Sequence, residues 1–251
     1  MTETAEADFF LGRQVRLRQM PHGHRAGTDA VLLAAAAPTE VKGLALDVGA
    51  GVGPAGLALA RLRPALTFGL IENDPETVAL ARENLALNDM AGRGRVYEAD
   101  VLDPDSRRAA GLADGSAALV ITNPPFLDPA RSRPSPDAGK RAAHAMPAAG
   151  PAALVEWLGA CLDLLASDGL LIVIHKPEAL PVILASLDTR AAVTLMPVQP
   201  RKDRAATRIL VRAQKGGRTP LMIASALVLH EGERFTDQAE AIHRGTALID
   251  W

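Results

Sequence analysis

The sequence predicts an α/β fold in which a mostly parallel sheet is covered by helices on both faces. Three observations predict it. Short apolar runs alternate with helical patterns from about Leu44 onward. The runs are almost continuously apolar, as strands buried on both faces must be. A glycine-rich segment leaves the first run and enters a helix, a place where such sheets hold ligands. At 251 residues, 48% of them hydrophobic, the chain can bury one sizeable core. A formal net charge of −2 gives no blanket nucleic-acid signal. No stretch approaches the roughly 20 apolar residues needed to span a bilayer. The acidic opening MTETAEADFF lacks the basic start of a secretory signal, so a soluble, cytoplasmic protein is expected. The single cysteine, Cys161, excludes a disulfide framework or Cys-cluster metal site. His22 and His24 stand without further ligands and the other histidines lie in different segments, so no metal is expected.

Taken in order, FFLGRQVRLRQ (9–19) reads as a small hairpin and GTDAVLLAAAAP (27–38) as a helix stopped by Pro38. LALDV (44–48) is a buried strand and GLALARL (56–62) a helix; LTFGLIE (66–72) is the next strand. Asp74 and then Pro75 form an N-cap and first helical position, opening a helix on which Val78, Ala81 and Leu85 share a face. RVYEAD (95–100) and AALVITN (117–123) are strands. PAALVEWLGACLDLLA (151–166) is a helix ended by Asp168-Gly169, with Cys161 a small core residue. LLIVIHK (170–176) is a strand, and VTLMPV (193–198) and TRILVRA (207–213) lie close together, as antiparallel neighbours would. Residues 127–150 form a loop-like insertion. The expected organisation is a hairpin and capping helix over 1–40, then a single compact unit over 41–251.

In LDVGAGVGPAG (46–56), Gly49, Gly51 and Gly53 allow positive φ and close backbone approach to a ligand, and the helix start that follows suits a negative group. Gly51, Gly53 and Gly56 also satisfy the dinucleotide fingerprint. Glu72, 19 residues beyond Gly53, can accept from ribose hydroxyls in either an NAD enzyme or another adenosine-cofactor enzyme. Asp47 tilts the choice: an acid there can meet an ammonium group, whereas pyrophosphate would repel it. Asp100 either accepts from an adenine amino group or forms a turn. Asn73 and Val101, beside these acids, join the candidate cofactor contacts. Thr28 is either a helix N-cap with Asp29 or a cofactor contact.

Asn123-Pro124-Pro125-Phe126 follows the fourth strand of the alternating series. Two prolines fix the backbone and remove two donors. An asparagine side chain plus the Pro124 carbonyl then makes a pair of acceptors for one NH2 group, and Phe126 can lie against a planar ring. An amine conjugated to a ring is a poor nucleophile because its lone pair is delocalised. Two acceptors holding both N–H bonds favour a pyramidal nitrogen whose lone pair faces an electrophile.

With these residues in order, the sequence resembles the class I S-adenosylmethionine-dependent methyltransferases that act on amino nitrogens. Within that group it resembles the bacterial tRNA1(Val) (adenine-N6)-methyltransferases. HRAGTDAVLLAAAAP (24–38), DVGAGVG (47–53), NPPF (123–126), Lys215-Gly216-Gly217 and LVLHEGERFTDQAEAI (227–242) carry the resemblance, which covers essentially the whole chain. It implies a Rossmann-like, seven-stranded sheet with the last strand antiparallel. It implies S-adenosyl-L-methionine as cofactor, with Gly49 and Gly51 under its methionine moiety, Glu72 on its ribose and Asp100 on its adenine. Asn123 and Pro124 would orient the target amine, Phe126 would stack on the base, and the substrate would be an adenosine in tRNA next to the anticodon.

Basic residues gather in three stretches: Arg13 to Arg25, Arg131 to His144 and Arg201 to Arg218. Three such stretches in a net-acidic chain make a polyanion-facing side plausible, with Arg131, Arg133, Lys140, Arg141, Arg201 and Lys202 as the candidate RNA contacts. The rivals are a protein glutamine N5-methyltransferase and an rRNA guanine-N2 methyltransferase, which share the motif. The first would carry a helical substrate domain ahead of the core, whereas 46 residues precede Asp47 here. From another class come an NAD-dependent oxidoreductase and a non-catalytic cofactor sensor. No Tyr-x-x-x-Lys pattern supports the former, and the latter needs no amine clamp. The sequence does not set an oligomeric state.

Overall fold

A computed structural model describes residues 7–20, 27–125 and 150–251. A hairpin, β1 (Asp8–Phe10) with β2 (Val15–Leu17), precedes α1 (Thr28–Ala35). The alternating core then runs β3 (Leu44–Val48), α2 (Pro54–Leu62), β4 (Thr67–Glu72), α3 (Pro75–Leu87), β5 (Gly94–Glu98), α4 (Pro104–Ala110), β6 (Ala117–Thr122), α5 (Pro151–Leu164), β7 (Leu165–His175), α6 (Leu180–Leu187), β8 (Ala191–Gln199) and β9 (Arg208–Lys215). Short pieces follow: β10 (Met222–Ile223), β11 (Leu227–Val228), the hairpin β12 (His230–Glu231) with β13 (Arg234–Phe235), and α7 (Asp237–His243).

The strand order is β10-β8-β9-β7-β6-β3-β4-β5, with β11 also on β8. Every pairing is parallel except those of β9, which lies antiparallel between β7 and β8. This is the class I methyltransferase architecture, with helices on both faces of the sheet. Ala45, Leu70, Leu119, Ile121 and Ile172 join the core beneath α1, α2 and α3. Their neighbours Leu46, Ile71, Val120, Leu171 and Val173 join the core beneath α5 and α6. The alternation along each strand divides the sheet between its two covers.

Two expectations are corrected. The sheet has nine strands, not seven, because β10 and β11 dock on the outer side of β8. They engage backbone groups that would otherwise form an open edge, and two-residue strands carry no readable period. The helix over 151–166 stops at Leu164, and β7 begins before Asp168-Gly169 with a register shift against β6, from Ala117↔Leu165 to Leu119↔Leu170. Lys215 Nζ ends the helix by donating to Leu162 O at 2.6 Å and Leu165 O at 2.7 Å, a partner 50 residues away that no local pattern announces.

The predicted N-cap holds: Asp74 Oδ2 accepts from Thr77 N at 2.8 Å, and Val78, Ala81 and Leu85 are buried. Cys161 is fully buried, and burial pushes its thiol well above the usual range. Helices α4 and α6 were not anticipated. The former is capped by Asp103, whose Oδ1 accepts from Asp105 N, and ends at Gly111 in the left-handed region.

The hairpin is held by two asparagines one turn apart, Asn84 on α3 and Asn88 at its C-cap. Asn84 Oδ1 accepts from Arg18 N at 2.8 Å while its Nδ2 donates to Arg18 O at 2.9 Å. Asn88 does the same for Arg16, at 2.8 and 2.7 Å. Two side-chain amides thus stand in for a neighbouring strand. At the other terminus, Ile249 N and Trp251 Nε1 donate to Ala35 O and Ala36 O at the end of α1.

Candidate active site

Parallel strands end at one edge of the sheet, and four adjacent strand ends carry the candidate residues. Val48, the last residue of β3, pairs with Ile71 of β4 on one side and Thr122 of β6 on the other. Gly49 and Asn123 each follow that second pair by one residue, so the glycine loop and the Asn-Pro-Pro segment start a strand spacing apart, about 4.8 Å. Glu72 ends β4 and Asp100 follows β5 by two residues. The structure therefore brings Asp47, Gly49, Gly51, Gly53, Glu72, Asn73, Asp100, Val101, Asn123, Pro124 and Pro125 to one edge. Phe126, Arg131, Arg133, Lys140 and Arg141 lie outside the described residues.

The loop is built around positive φ at Gly49 (70°), Gly51 (57°) and Gly53 (93°). A Cβ on Gly49 would stand 2.8 Å from the Trp157 ring, whereas one on Gly51 would meet nothing within 4 Å. Gly51 thus borders open space, where a ligand can lie on bare backbone. Gly56 serves packing: a Cβ there would stand 2.2 Å from Leu70 Cδ2.

The acids bind the loop as much as they face it. Asp47 is buried, and its Oδ2 accepts from Gly56 N at 2.7 Å in the first turn of α2. Burial pushes its carboxyl up to about 7, helped by the nearby Glu72 charge and opposed by the Gly56 hydrogen bond. Glu72 Oε2 accepts from Gly51 N at 3.0 Å, and Oε1 from Asn73 N at 2.8 Å and Asp74 N at 3.0 Å. Three of the roughly four acceptor positions of a carboxylate are engaged, which sets its orientation and leaves little room for more than one further donor. Asp100 is exposed, with Oδ1 accepting from Leu102 N at 2.9 Å. Val101 is buried and Asn73 exposed. Thr28 caps nothing with its side chain, since Gly27 is the N-cap of α1; its Oγ1 lies 3.1 Å from His243 Nε2. Asp29 pairs with Arg208 at 2.9 Å.

The basic stretches divide. Arg16 and Arg18 are spent on α3, donating to Leu87 O and to Glu83 Oε2 respectively. Arg212 lies over the Trp251 ring, and Lys215 closes α5. Arg201 and Lys202 are exposed in the turn after β8, at the edge that carries Asn123; Arg201 also donates to Gly232 O. Two residues at the site lack a strong sequence signal. Thr122 Oγ1 donates to Val48 O at 2.8 Å and accepts from Trp157 Nε1 at 3.0 Å. A polar residue ending an apolar strand just before Asn-Pro was the one available hint. Among the described residues no group of three or more His, Cys, Asp or Glu could hold a metal ion, and no helix is long and apolar enough to cross a membrane.

Residues 25–156, which contain the loop, Glu72, Asp100 and the Asn-Pro-Pro segment, match the model of the methyltransferase small domain. The chain belongs to the methyltransferase small domain family. Its sequence resemblance is to the S-adenosylmethionine-dependent methyltransferases. A tRNA1(Val) (adenine(37)-N6)-methyltransferase of Erwinia tasmaniensis is 35% identical over 114 residues, 45% of this chain and 44% of that protein. One of the same name from Pectobacterium carotovorum is 32% identical over 127 residues, 50% of this chain and 49% of that one. The matched stretch spans about half the length of each. Among solved structures, a protein of Agrobacterium tumefaciens described as a predicted O-methyltransferase is 30% identical with a TM-score of 0.72, covering 88% of this chain and 98% of its own. A methyltransferase of Pyrococcus furiosus shares the fold, at 16% identity and a TM-score of 0.56, over 81% of this chain and 90% of its own.

S-adenosylmethionine, the cofactor of this class, supplies a methyl group made electrophilic by a sulfonium. The residues present fit it: open space over Gly51, an oriented carboxylate at Glu72 for a diol, and an exposed one at Asp100 for an amine.

Proposed function

We propose that the chain methylates the N6 amino group of an adenosine in tRNA, next to the anticodon, using S-adenosylmethionine. The observation that carries this reading is the position of Asn123-Pro124-Pro125, one residue beyond the Val48↔Thr122 pair and so beside the cofactor loop. Asn123 Oδ1 and the Pro124 carbonyl would accept the two amine hydrogens, turning the nitrogen lone pair toward the methyl group. No strong base is required, because the transfer leaves the sulfur as a neutral thioether and the nitrogen as an arylammonium, which is acidic and loses its proton to water. Thr28, Asp47, Gly49, Gly51, Gly53, Glu72, Asn73, Asp100 and Val101 would hold the cofactor. The names of the Erwinia and Pectobacterium relatives support adenine and tRNA. Arg201 and Lys202, exposed at the same edge, support a polyanionic substrate, and Arg131, Arg133, Lys140 and Arg141 would extend that contact. A base in an anticodon loop is already partly unstacked, so presenting it costs little. A cytoplasmic location would follow from such a substrate.

A second reading comes from the Agrobacterium structure, whose description names oxygen as the methyl acceptor. An oxygen acceptor has no use for a pair of acceptors holding two N–H bonds, which is why nitrogen is preferred. The test is transfer of a labelled methyl group to bulk tRNA, bulk rRNA, glutamine-bearing release factors and phenolic acceptors in parallel. Label recovered as N6-methyladenosine from tRNA is the expected result. Label recovered only on a glutamine, a guanine N2 or an oxygen overturns the reading.

A further inference from the structure

We propose that Trp157 is a positioning residue that sets the distance between the cofactor loop and the amine clamp. The inference rests on the methyl-transfer reading above and adds a residue to it. The two segments that must meet for transfer leave the sheet side by side, at Val48 and Thr122. Beyond that pair the regular ladder of backbone hydrogen bonds stops, and side chains take over. Thr122 Oγ1 donates to Val48 O at 2.8 Å and accepts from Trp157 Nε1 at 3.0 Å. Val48 carries the first glycine of the loop, and Thr122 carries Asn123. The same indole touches the loop directly, because the place of a Gly49 Cβ lies 2.8 Å from its Cζ2 and 2.9 Å from its Cη2. Gly49 N is fixed on its other side by Ile71 O at 3.0 Å. One ring on α5 therefore braces the start of the loop by contact and the start of the clamp by hydrogen bond. Thr122 is buried to 0% exposure, so water cannot replace the indole donor at no cost.

Such a brace matters because transfer demands reacting atoms about 3–3.5 Å apart, and a displacement of about 1 Å costs on the order of 100-fold. A Phe at 157 keeps a ring over Gly49 but donates nothing to Thr122. A Val at 122 keeps the shape and removes both bonds, while a Ser keeps the hydroxyl. The expected outcome, in single-turnover and steady-state transfer to tRNA, is a kcat about 10-fold lower in Trp157→Phe and in Thr122→Val. The KM for tRNA and the calorimetric Kd for S-adenosylhomocysteine should move less than about 3-fold. Thr122→Ser should restore kcat to within about 3-fold of the parent. The Trp157→Phe/Thr122→Val double variant should lose no more than the worse single, because the two side chains share one bond. A lowered melting temperature with unchanged kcat in folded protein, or losses that multiply in the double variant, would overturn the proposal. A second readout needs no turnover. The chain has 2 tryptophans, so in a Trp251→Phe background Trp157 is the only indole. Its emission should shift as S-adenosylhomocysteine is titrated, with a midpoint at the calorimetric Kd; emission constant through saturation overturns the brace. Absence of transfer by the parent enzyme would count against the tRNA reading, and the emission arm would still decide this one.

Discussion

The two edges of the sheet use charge in opposite ways. At the carboxyl edge, where α2, α3 and α4 begin, most charged side chains bound to backbone are carboxylates, Arg107 on Val101 O and Arg201 on Gly232 O being exceptions. Asp47 takes Gly56 N, Glu72 takes Gly51, Asn73 and Asp74 N, and Asp74 and Asp103 cap their helices. At the amino edge, where helices end, they are cations. Arg63 donates to Ala37, Pro38 and Leu62 carbonyls. Arg93 reaches Ala60 O at 2.6 Å and Leu66 O at 3.2 Å, and Lys215 takes Leu162 and Leu165. The cause is helix polarity: the first four N–H groups and last four C=O groups of a helix lack partners, and its ends carry opposite partial charges. A cavity of about 520 Å³ opens at the amino edge, lined by Lys42, Asp168, Arg212, Gln214 and Met222 among others. It lacks the glycine loop and the amine clamp, so a hollow alone does not mark the chemistry. The difference teaches that carboxylates at the carboxyl edge hold backbone N–H groups where the proposed cofactor would lie, whereas cations at the amino edge hold the carbonyls that end helices.

The largest expected effect sharpens that comparison through Asp47. Its folded-state carboxyl, pushed up to about 7 by burial, keeps a proton that the unfolded chain releases near pH 4. The associated stability is therefore full below about pH 4 and is lost as pH rises through about 7, a change on the order of 4 kcal/mol at about 1.4 kcal/mol per pKa unit. In Asp47→Asn, where the amide oxygen can still accept from Gly56 N, denaturant melts of the ligand-free protein should show that slope flattened. A slope unchanged by the substitution would show that another group carries it.

Asn123→Ala should lower kcat about 100-fold with cofactor Kd nearly intact, while Glu72→Ala should do the reverse, weakening the cofactor first. Parallel losses in both constants for both variants would break the division of labour drawn at this edge. At the opposite edge, Lys215→Met should cost about 1–3 kcal/mol of stability, since Leu162 O and Leu165 O lose their charged donor. Its kcat should be unchanged; a fall in kcat below the melting range would tie the amino edge to catalysis. The smallest effect belongs to Arg82→Ala, which removes a 3.3 Å ion pair with Glu98 between two half-exposed side chains. Chemical denaturation should place it within about 0.5 kcal/mol of the parent.

Much of the fold was legible because its signals are local. A strand such as LALDV declares its burial through its own composition, Asp74-Pro75 announces a helix start within two residues, and three alternate glycines mark a loop. The candidate site was legible in the same way, since the residues after four strand ends meet wherever those strands lie parallel and adjacent. Illegible were the features that depend on partners far along the chain. The arginines of the hairpin read as an exposed basic stretch, yet Arg16 and Arg18 dock on asparagines 72 and 66 residues away. Asp47 read as a ligand contact, and its first partner is an amide of α2.

By itself the sequence determined most of the core segments that become strands and helices, and which chemistry-bearing residues lie at their ends. Hydrophobic period, caps and turn residues act over a few positions and need no knowledge of the rest of the chain. Only the tertiary structure decided the strand order, the two added strands on β8, and the use of each charge. Thr122 and Trp157 meet across 35 residues, Arg208 and Asp29 across 179. Those choices depend on which backbone groups remain without partners once the sheet has assembled, a property of the packed molecule that no single segment holds.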